Sequence, residues 1–142
     1  MFREKRRAER IKIRVPVVVV LYDEKAKTVL AGPVAGEVRD FSPMGVALSL
    51  ASIMIDHYHI FFTCQDNPSY IMKIGFTLPE EPEAILNIPA RPVWYDRYTE
   101  SKEKKALLGI EFLLKPKDKV IKKLTTGLFP ESKTPASWWK IF

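Results

Sequence analysis

Cysteine and histidine are scarce in this sequence, and long apolar runs are absent. Cys64 is the single cysteine, so an internal disulfide cannot form, and neither His57 nor His59 has cysteine neighbours at zinc-ligand spacing. The longest purely apolar run covers residues 17–21, far too short to span a bilayer, and the charged start of the chain has no signal-peptide core. We therefore expect no metal, no cofactor and no membrane insertion, in a protein of the reducing cytoplasm.

The sequence also lacks the side-chain combinations that catalysis needs. His57 and His59 belong to no recognisable arrangement of nucleophile and base. We predict that the chain is not an enzyme.

Positive charge is concentrated near the start of the chain. The 142 residues carry a formal net charge of +6, and 46% of them are apolar, enough for one globular domain with a core. Residues 3–14 contain two acids, Glu4 and Glu9, and a larger set of basic residues: Arg3, Lys5, Arg6, Arg7, Arg10, Lys12 and Arg14. This local excess favours an anionic partner.

Period-two alternation of apolar residues predicts an all-β protein. It begins at Ile11 and recurs over 34–39, 46–50, 71–78, 85–95 and 106–113, with Gly32-Pro33 read as a turn and 96–105 as a charged connector. Short strands without intervening helices favour an antiparallel barrel or sandwich. A short helix is expected from Pro116 onward, because Val120, Ile121 and Leu124 have helical spacing. The structure of residues 51–70 stays open.

The arginines before the first strand are candidate ligand-binding residues. Arg6 and Arg10 are separated by three residues, one of which is Arg7. A guanidinium grips phosphate oxygens bidentately, pairs with guanine O6 and N7, and stacks on a base. Taken alone, such a run is also typical of a solvated arm or a nonspecific nucleic-acid contact.

A hexapeptide, Asp40-Phe41-Ser42-Pro43-Met44-Gly45, interrupts the next strand pair. Asp40 can accept hydrogen bonds from guanine N1–H and N2–H, and the Ser42 hydroxyl can reach a base or a phosphate. Gly45 would allow a positive φ and the close approach of a ligand. An ordinary turn between strands would have the same composition.

Together these two motifs resemble the PilZ family pattern. Its R-x-x-x-R is present as Arg6 to Arg10, directly before the Ile11 strand, and its D/N-x-S-x-x-G as Asp40 to Gly45. Residues 108–112, Leu-Gly-Ile-Glu-Phe, also resemble the G-h-x-F strand of that family. The resemblance covers residues 3–125.

The resemblance implies a mainly all-β fold, a six-stranded antiparallel β-barrel with a short C-terminal helix. It assigns residues 1–128 to the PilZ domain, with 1–10 as a flexible arginine-rich arm and 51–70 as a possible insertion, and 129–142 to a C-terminal tail. It implies cyclic di-GMP as the ligand, contacted by the following residues: Arg6, Arg7, Arg10, Asp40, Ser42 and Gly45. Arg7 is the weaker candidate of this set.

The implied function is that of a cyclic di-GMP receptor or adaptor, which changes conformation on binding and signals to an unknown protein partner. Two alternatives stay open: a nonspecific nucleic-acid-binding β-barrel, and a PilZ-like adaptor that needs no ligand. Specific DNA or RNA binding is not expected. Trp94-Tyr95 could stack on a base, although large aromatics in a barrel strand are more often core, and the tryptophan-rich tail could pack on the barrel or dock a partner.

Overall fold

Six long strands form a closed barrel. The computed structural model describes residues 11–78 and 81–128. The barrel strands are β1 (Ile11–Asp23), β2 (Thr28–Ser42), β3 (Gly45–Leu50), β6 (Tyr70–Leu78), β7 (Glu81–Glu100) and β8 (Glu103–Phe112). They close in the order β1-β2-β3-β8-β7-β6, and every neighbouring pair is antiparallel. The predicted six-stranded antiparallel barrel with a short C-terminal helix is confirmed.

The barrel interior is filled by the alternating apolar residues that the sequence shows. Val17, Val19 and Leu21 of β1 are fully buried, whereas Val18 between them is 46% exposed. Each strand contributes such residues to one continuous core, and burying one aliphatic side chain of this size is worth about 1.5–3 kcal/mol. The alternation therefore sets which strand face carries the outer surface, where the candidate site lies.

Residues 51–70 form a small structured unit on the barrel wall. Two short strands, β4 (Met54–Ile55) and β5 (Tyr58–His59), pair with each other, and helix α1 (Ile60–Asp66) follows. His59 caps this helix, because its Nδ1 accepts a hydrogen bond from the Phe62 N–H at 3.2 Å. Ile60 and Cys64 of α1 are buried, so the unit is packed against the barrel.

Helix α2 (Lys119–Leu128) follows the last strand and contacts β6 and β7. Its inner residues Ile121 and Leu124 are buried, and Asp118 caps its start by accepting from the Val120 N–H at 2.8 Å. Within residues 11–78 and 81–128, no helix is long and apolar enough to cross a membrane.

Two local predictions are wrong. Gly32-Pro33 is not a turn but lies inside β2, where the pairing with β1 shifts between Val19 and Leu21, so the glycine marks a bulge rather than a chain reversal. Residues 96–105 are not a connector: β7 and β8 continue through them to a tight turn at Ser101 and Lys102, with φ of 52° and 69°. The charged residues on the exposed face of this hairpin resemble those of a loop, and the sequence therefore predicted a connector.

Candidate functional site

The hexapeptide forms the tight connection between β2 and β3. Asp40, Phe41 and Ser42 end β2, Pro43 and Met44 make the turn, and Gly45 opposite Ser42 begins β3. The Ser42 hydroxyl accepts a hydrogen bond from the Met44 N–H at 3.1 Å and lies 3.5 Å from the Gly45 carbonyl oxygen. The serine therefore holds its own turn in shape as well as lying beside the site.

Gly45 is required by the neighbouring strand. A Cβ atom at this position would lie 2.0 Å from the Ile110 carbonyl oxygen of β8. Its φ lies outside the left-handed range, so the expectation of a positive φ at Gly45 is wrong. The residue is glycine because β3 and β8 approach each other closely there.

A bulge turns Asp40 toward the outside of the barrel. Val38 pairs with Leu48 and Asp40 with Ala47, so Arg39 is an extra residue in β2. Val38 and Phe41 are then both in the core, although two residues separate them, and Asp40 is half-buried between them. Without this bulge, Asp40 would share the inward face of Val38.

Asp40 and the turn border an open depression of about 290 Å³ on the outer barrel surface. Its lining includes the paired residues Ala47 and Gly109, Trp94 beyond them on β7, and Glu111 of β8. Ala47 has a small side chain and Gly109 has none, and the Trp94 indole lies over Gly109. The predicted residues Asp40, Ser42 and Gly45 all line this depression.

Trp94 also lines the depression, and the sequence pattern did not assign it to one role. The indole is 45% exposed and lies across Gly109: a Cβ on the glycine would be 2.1 Å from the Trp94 Cε2. The alternative that Trp94 is core is therefore wrong. Its neighbour Tyr95 is half-buried and packs against α1, with its ring 5.0 Å from that of His59 and 5.3 Å from that of Phe61.

Val93, Gly109 and Glu111 also line the depression, and none was among the sequence candidates. The sequence could have indicated Gly109, because it is the glycine of residues 108–112, which resemble the G-h-x-F strand of the PilZ family. Nothing in the sequence indicates Val93 or Glu111 as lining residues, since an exposed valine or glutamate on a strand is common.

The three candidate arginines lie outside the described residues. The structure does describe β1, the strand that follows them in the sequence. In β1, Ile11 pairs with Phe41 and Lys12 with Asp40. The described part of β1 thus begins directly beside the hexapeptide.

A polar network stabilises the outer wall next to the depression. The Tyr98 hydroxyl of β7 is 2.5 Å from the Ser49 Oγ of β3 and accepts from the Arg39 guanidinium at 2.8 Å. Glu100 pairs with Arg39 at 3.4 Å and with Lys105 at 3.3 Å. Arg39 is therefore engaged with Tyr98 and Glu100 and contributes to the wall between β2 and β7.

Comparison with known proteins identifies the fold. No family model and no curated protein matches this sequence. Among solved structures, PlzA of Borreliella burgdorferi in complex with c-di-GMP matches with a TM-score of 0.51 and 12% identity, over 94% of this chain and 57% of the PlzA chain. The PilZ domain of YcgR from Escherichia coli with c-di-GMP has a TM-score of 0.48 and 9% identity, over 87% of this chain and 94% of that domain. The chain has a PilZ-type fold.

Proposed function

We propose that this chain is a receptor for cyclic di-GMP, which it holds between its N-terminal arginines and the depression beside the β2–β3 turn. The pairing of Ile11 with Phe41 is the observation that carries the proposal. Ile11 directly follows Arg10 in the sequence and Phe41 directly follows Asp40, so the paired residues adjoin the two halves of a motif that are thirty residues apart.

Chain connectivity limits how far the arginines can be from the depression. The Cα of Arg10 is bonded through one peptide to Ile11, which keeps the two Cα atoms about 3.8 Å apart. Arg6 is five residues before Ile11, so even a fully extended chain leaves its Cα within about 18 Å. An arginine side chain adds several ångströms of reach, so a ligand lying on Ala47 and Gly109 is accessible to Arg6, Arg7 and Arg10.

The side chains of the site suit a guanine nucleotide with phosphates. Asp40 would accept from guanine N1–H and N2–H, a pair of parallel donors that a carboxylate matches. The arginines would neutralise the phosphates and pair with guanine edges.

Trp94 adds a flat, exposed surface at the far side of the depression. A base that stacks on an aromatic side chain gains about 1–3 kcal/mol, whichever base it is. Hydrogen bonds at Asp40 would then select guanine, whereas Trp94 would contribute affinity. The PlzA complex, with the same fold, contains this dinucleotide and makes it the ligand to test.

The depression is less suited to a nonspecific nucleic acid. Its rim carries two carboxylates, Asp40 and Glu111, which would repel a continuous phosphate backbone. A compact ligand avoids this repulsion, because its base can face Asp40 while its phosphates face the arginines.

Ligand binding would produce a signal by drawing the N-terminal arginines onto the barrel. Without ligand the arginines repel one another, and the phosphates would remove that repulsion and draw them onto the barrel. The surface formed in this way would bind a downstream protein in the cytoplasm. The chain would act without altering the ligand, as a receptor and not as an enzyme.

Calorimetric titration with cyclic di-GMP tests this proposal. We expect low-micromolar or tighter binding by the native chain and its loss in Arg6→Ala, Arg10→Ala and Asp40→Ala. Asp96→Ala and Arg97→Ala are matched controls, because both residues are exposed on β7 outside the depression, and they should bind as the native chain does.

Three results would count against the proposal. An absence of heat would leave the ligand-independent adaptor as the better reading. Equal affinity of the Asp40→Ala variant would remove the guanine contact. Tighter binding of single-stranded oligonucleotides, falling steeply with salt, would favour the nucleic-acid alternative.

A further inference from the structure

Helix α2 separates apolar and basic residues onto opposite faces. Its inner face carries the buried residues Ile121, Leu124 and Thr125 and ends at the half-buried Leu128. The outer face repeats at i, i+3, i+4 and i+7, with the exposed residues Lys119, Lys122, Lys123 and Thr126. The packing that fixes the inner face on the barrel therefore also fixes the lysines toward solvent.

The lysines of this helix are part of a denser basic segment. Residues 115–123 contain five lysines, all exposed, the remaining two being Lys115 and Lys117. Asp118 is the acid of this segment, and its carboxylate caps the helix by accepting from the Val120 N–H. Five lysines against one aspartate leave the segment with a net charge of +4.

Neighbouring strands neutralise little of this charge. Within residues 11–78 and 81–128, Lys123 has a carboxylate partner, Glu81 at 3.4 Å, and both side chains are about half exposed. Such an exposed pair contributes little. Lys119, Lys122 and Lys123 also border a shallow depression of about 500 Å³ beside Leu78, so the basic face adjoins an apolar residue of the barrel end.

The sequence that follows α2 contains a cluster of large apolar residues. Trp138, Trp139, Ile141 and Phe142 follow within fourteen residues of Leu128, with Lys140 among them. These residues lie outside the described part of the chain. Trp138 is ten positions after Leu128, so connectivity keeps their Cα atoms within about 36 Å.

We propose that the outer face of α2, with the tryptophan-rich segment after it, binds an anionic lipid surface peripherally. Lysines attract the surface electrostatically, and tryptophan and phenylalanine side chains enter the interface between headgroups and acyl chains. An electrostatic and an apolar contribution together give stable membrane binding, whereas either alone gives only marginal binding. The helix remains packed on the barrel and lies on the lipid, so no segment crosses it.

The observations favour lipid over nucleic acid as the partner. All five basic residues from 115 to 123 are lysines, point charges that follow a diffuse anionic surface, whereas bidentate recognition of phosphates and bases uses arginine. This proposal does not rest on cyclic di-GMP binding.

Vesicle co-sedimentation of the full chain tests the proposal. We expect the chain to pellet at low salt with vesicles of phosphatidylcholine and phosphatidylglycerol, to stay in solution with phosphatidylcholine alone, and to dissociate at high salt. Replacing Lys117, Lys119 and Lys122 with glutamine should weaken binding roughly 100-fold, since each lysine near an anionic surface contributes about 1 kcal/mol. Lys123 is left unchanged because of its pair with Glu81.

Control variants distinguish the basic face from net charge. Lys25→Gln, Lys27→Gln and Lys104→Gln remove the same charge from exposed turn and strand positions, and Lys25 and Lys27 lie at the Tyr70 end of β6, opposite Leu78. This triple variant should bind within about threefold of the native chain. Trp138→Ala with Trp139→Ala should weaken binding, and Asp40→Ala should leave it unchanged. Circular dichroism confirms that each variant is folded.

Several outcomes would overturn the proposal. One is failure of the native chain to pellet with phosphatidylglycerol vesicles at low salt. Another is equal loss of binding in the two triple variants, which would show a net-charge effect. A third is binding to a DNA duplex or single strand, measured by fluorescence anisotropy, that depends on the same lysines while vesicle binding does not.

Discussion

Trp94 lies across Gly109, and the contact is close enough that no side chain could be added to the glycine without moving the indole. A Cβ at residue 109 would be 2.1 Å from Cε2 and 2.2 Å from Nε1 of Trp94. The glycine thereby sets the position of a partly exposed aromatic ring at the edge of the candidate site. Three strands contribute to this arrangement, because Gly109 of β8 pairs with Trp94 on one side and with Ala47 on the other.

Trp94 should contribute to ligand affinity through stacking. We expect Trp94→Ala to weaken cyclic di-GMP binding by about 5-fold to 150-fold, because stacking on an aromatic side chain is worth about 1–3 kcal/mol. Trp94→Phe should keep most of the affinity, and Gly109→Ala should lower it by displacing the indole. Calorimetric titration measures all three, and native affinity in Trp94→Ala would exclude a stacking role.

Gly45 should be a stability determinant of the barrel. Gly45→Ala places a methyl group against the Ile110 carbonyl oxygen, a backbone atom that cannot move without disturbing the β3–β8 pairing. We expect a loss of about 2–3 kcal/mol in the free energy of unfolding, measured by urea denaturation.

Gly75→Ala is the matched control for this substitution. The nearest atom to its new Cβ would be Ile85 Cγ2 at 3.0 Å, at the end of a side chain that is 58% exposed and able to move. The expected change is below about 1 kcal/mol. A similar loss in both variants would contradict the backbone explanation.

The sequence predicted the strands and the turn of the candidate site, and it could not predict the outward position of Trp94, which depends on a β-bulge. Val17, Val19 and Leu21 alternate without interruption, so the period-two pattern located β1, and the hexapeptide between two such patterns located the turn. Trp94 has the same parity as the buried residues Ile88 and Ala90 and would face inward in a regular strand. The register shift between Pro92 and Trp94 turns it outward, and a shift of one residue is not visible in composition.

The remaining differences also have local physical causes. The requirement for glycine at position 45 comes from β8, a strand far away in the sequence, so a turn rule could not supply it. Charged residues from 96 to 105 have the composition of a connector, yet the half-buried Tyr98 and the buried Ala106 continue the two strands. Tertiary pairing decided both cases.

The Tyr98 hydroxyl should stabilise the barrel wall. Tyr98→Phe leaves the buried Ser49 hydroxyl without this partner and removes one of the acceptors of Arg39, so we expect a loss of about 1–3 kcal/mol in urea denaturation. Ser49→Ala should cost a comparable amount, and the double variant less than the sum of the two. Additive losses would show that the two hydroxyls do not interact.

Cys64 should be unreactive in the folded chain and should make stability pH-dependent in alkali. Burial raises the pKa of this thiol to about 11 from an ordinary value of 9.0, and nearby Arg91 offsets only part of the effect. Because the folded pKa is the higher one, the unfolded chain loses the proton first. The stabilisation from a neutral thiol is therefore complete below pH 9 and declines as the pH rises toward 11.

Comparison of the native chain with Cys64→Ala isolates this effect. The native chain should lose more stability than the variant between these two pH values, and iodoacetamide should modify Cys64 rapidly only after unfolding in urea. Identical pH profiles, or fast modification of the folded chain at neutral pH, would contradict the assignment.

The most direct test of the proposed receptor site is the mapping of amide chemical shifts by NMR during titration with cyclic di-GMP. We predict that the large changes fall on Arg6 to Arg10, on Asp40 to Ala47, and on the β7 and β8 residues around Trp94 and Gly109. Residues of α2 should change little. Changes confined to α1 or α2, or no changes at saturating ligand, would contradict a site between the arginines and the β2–β3 turn.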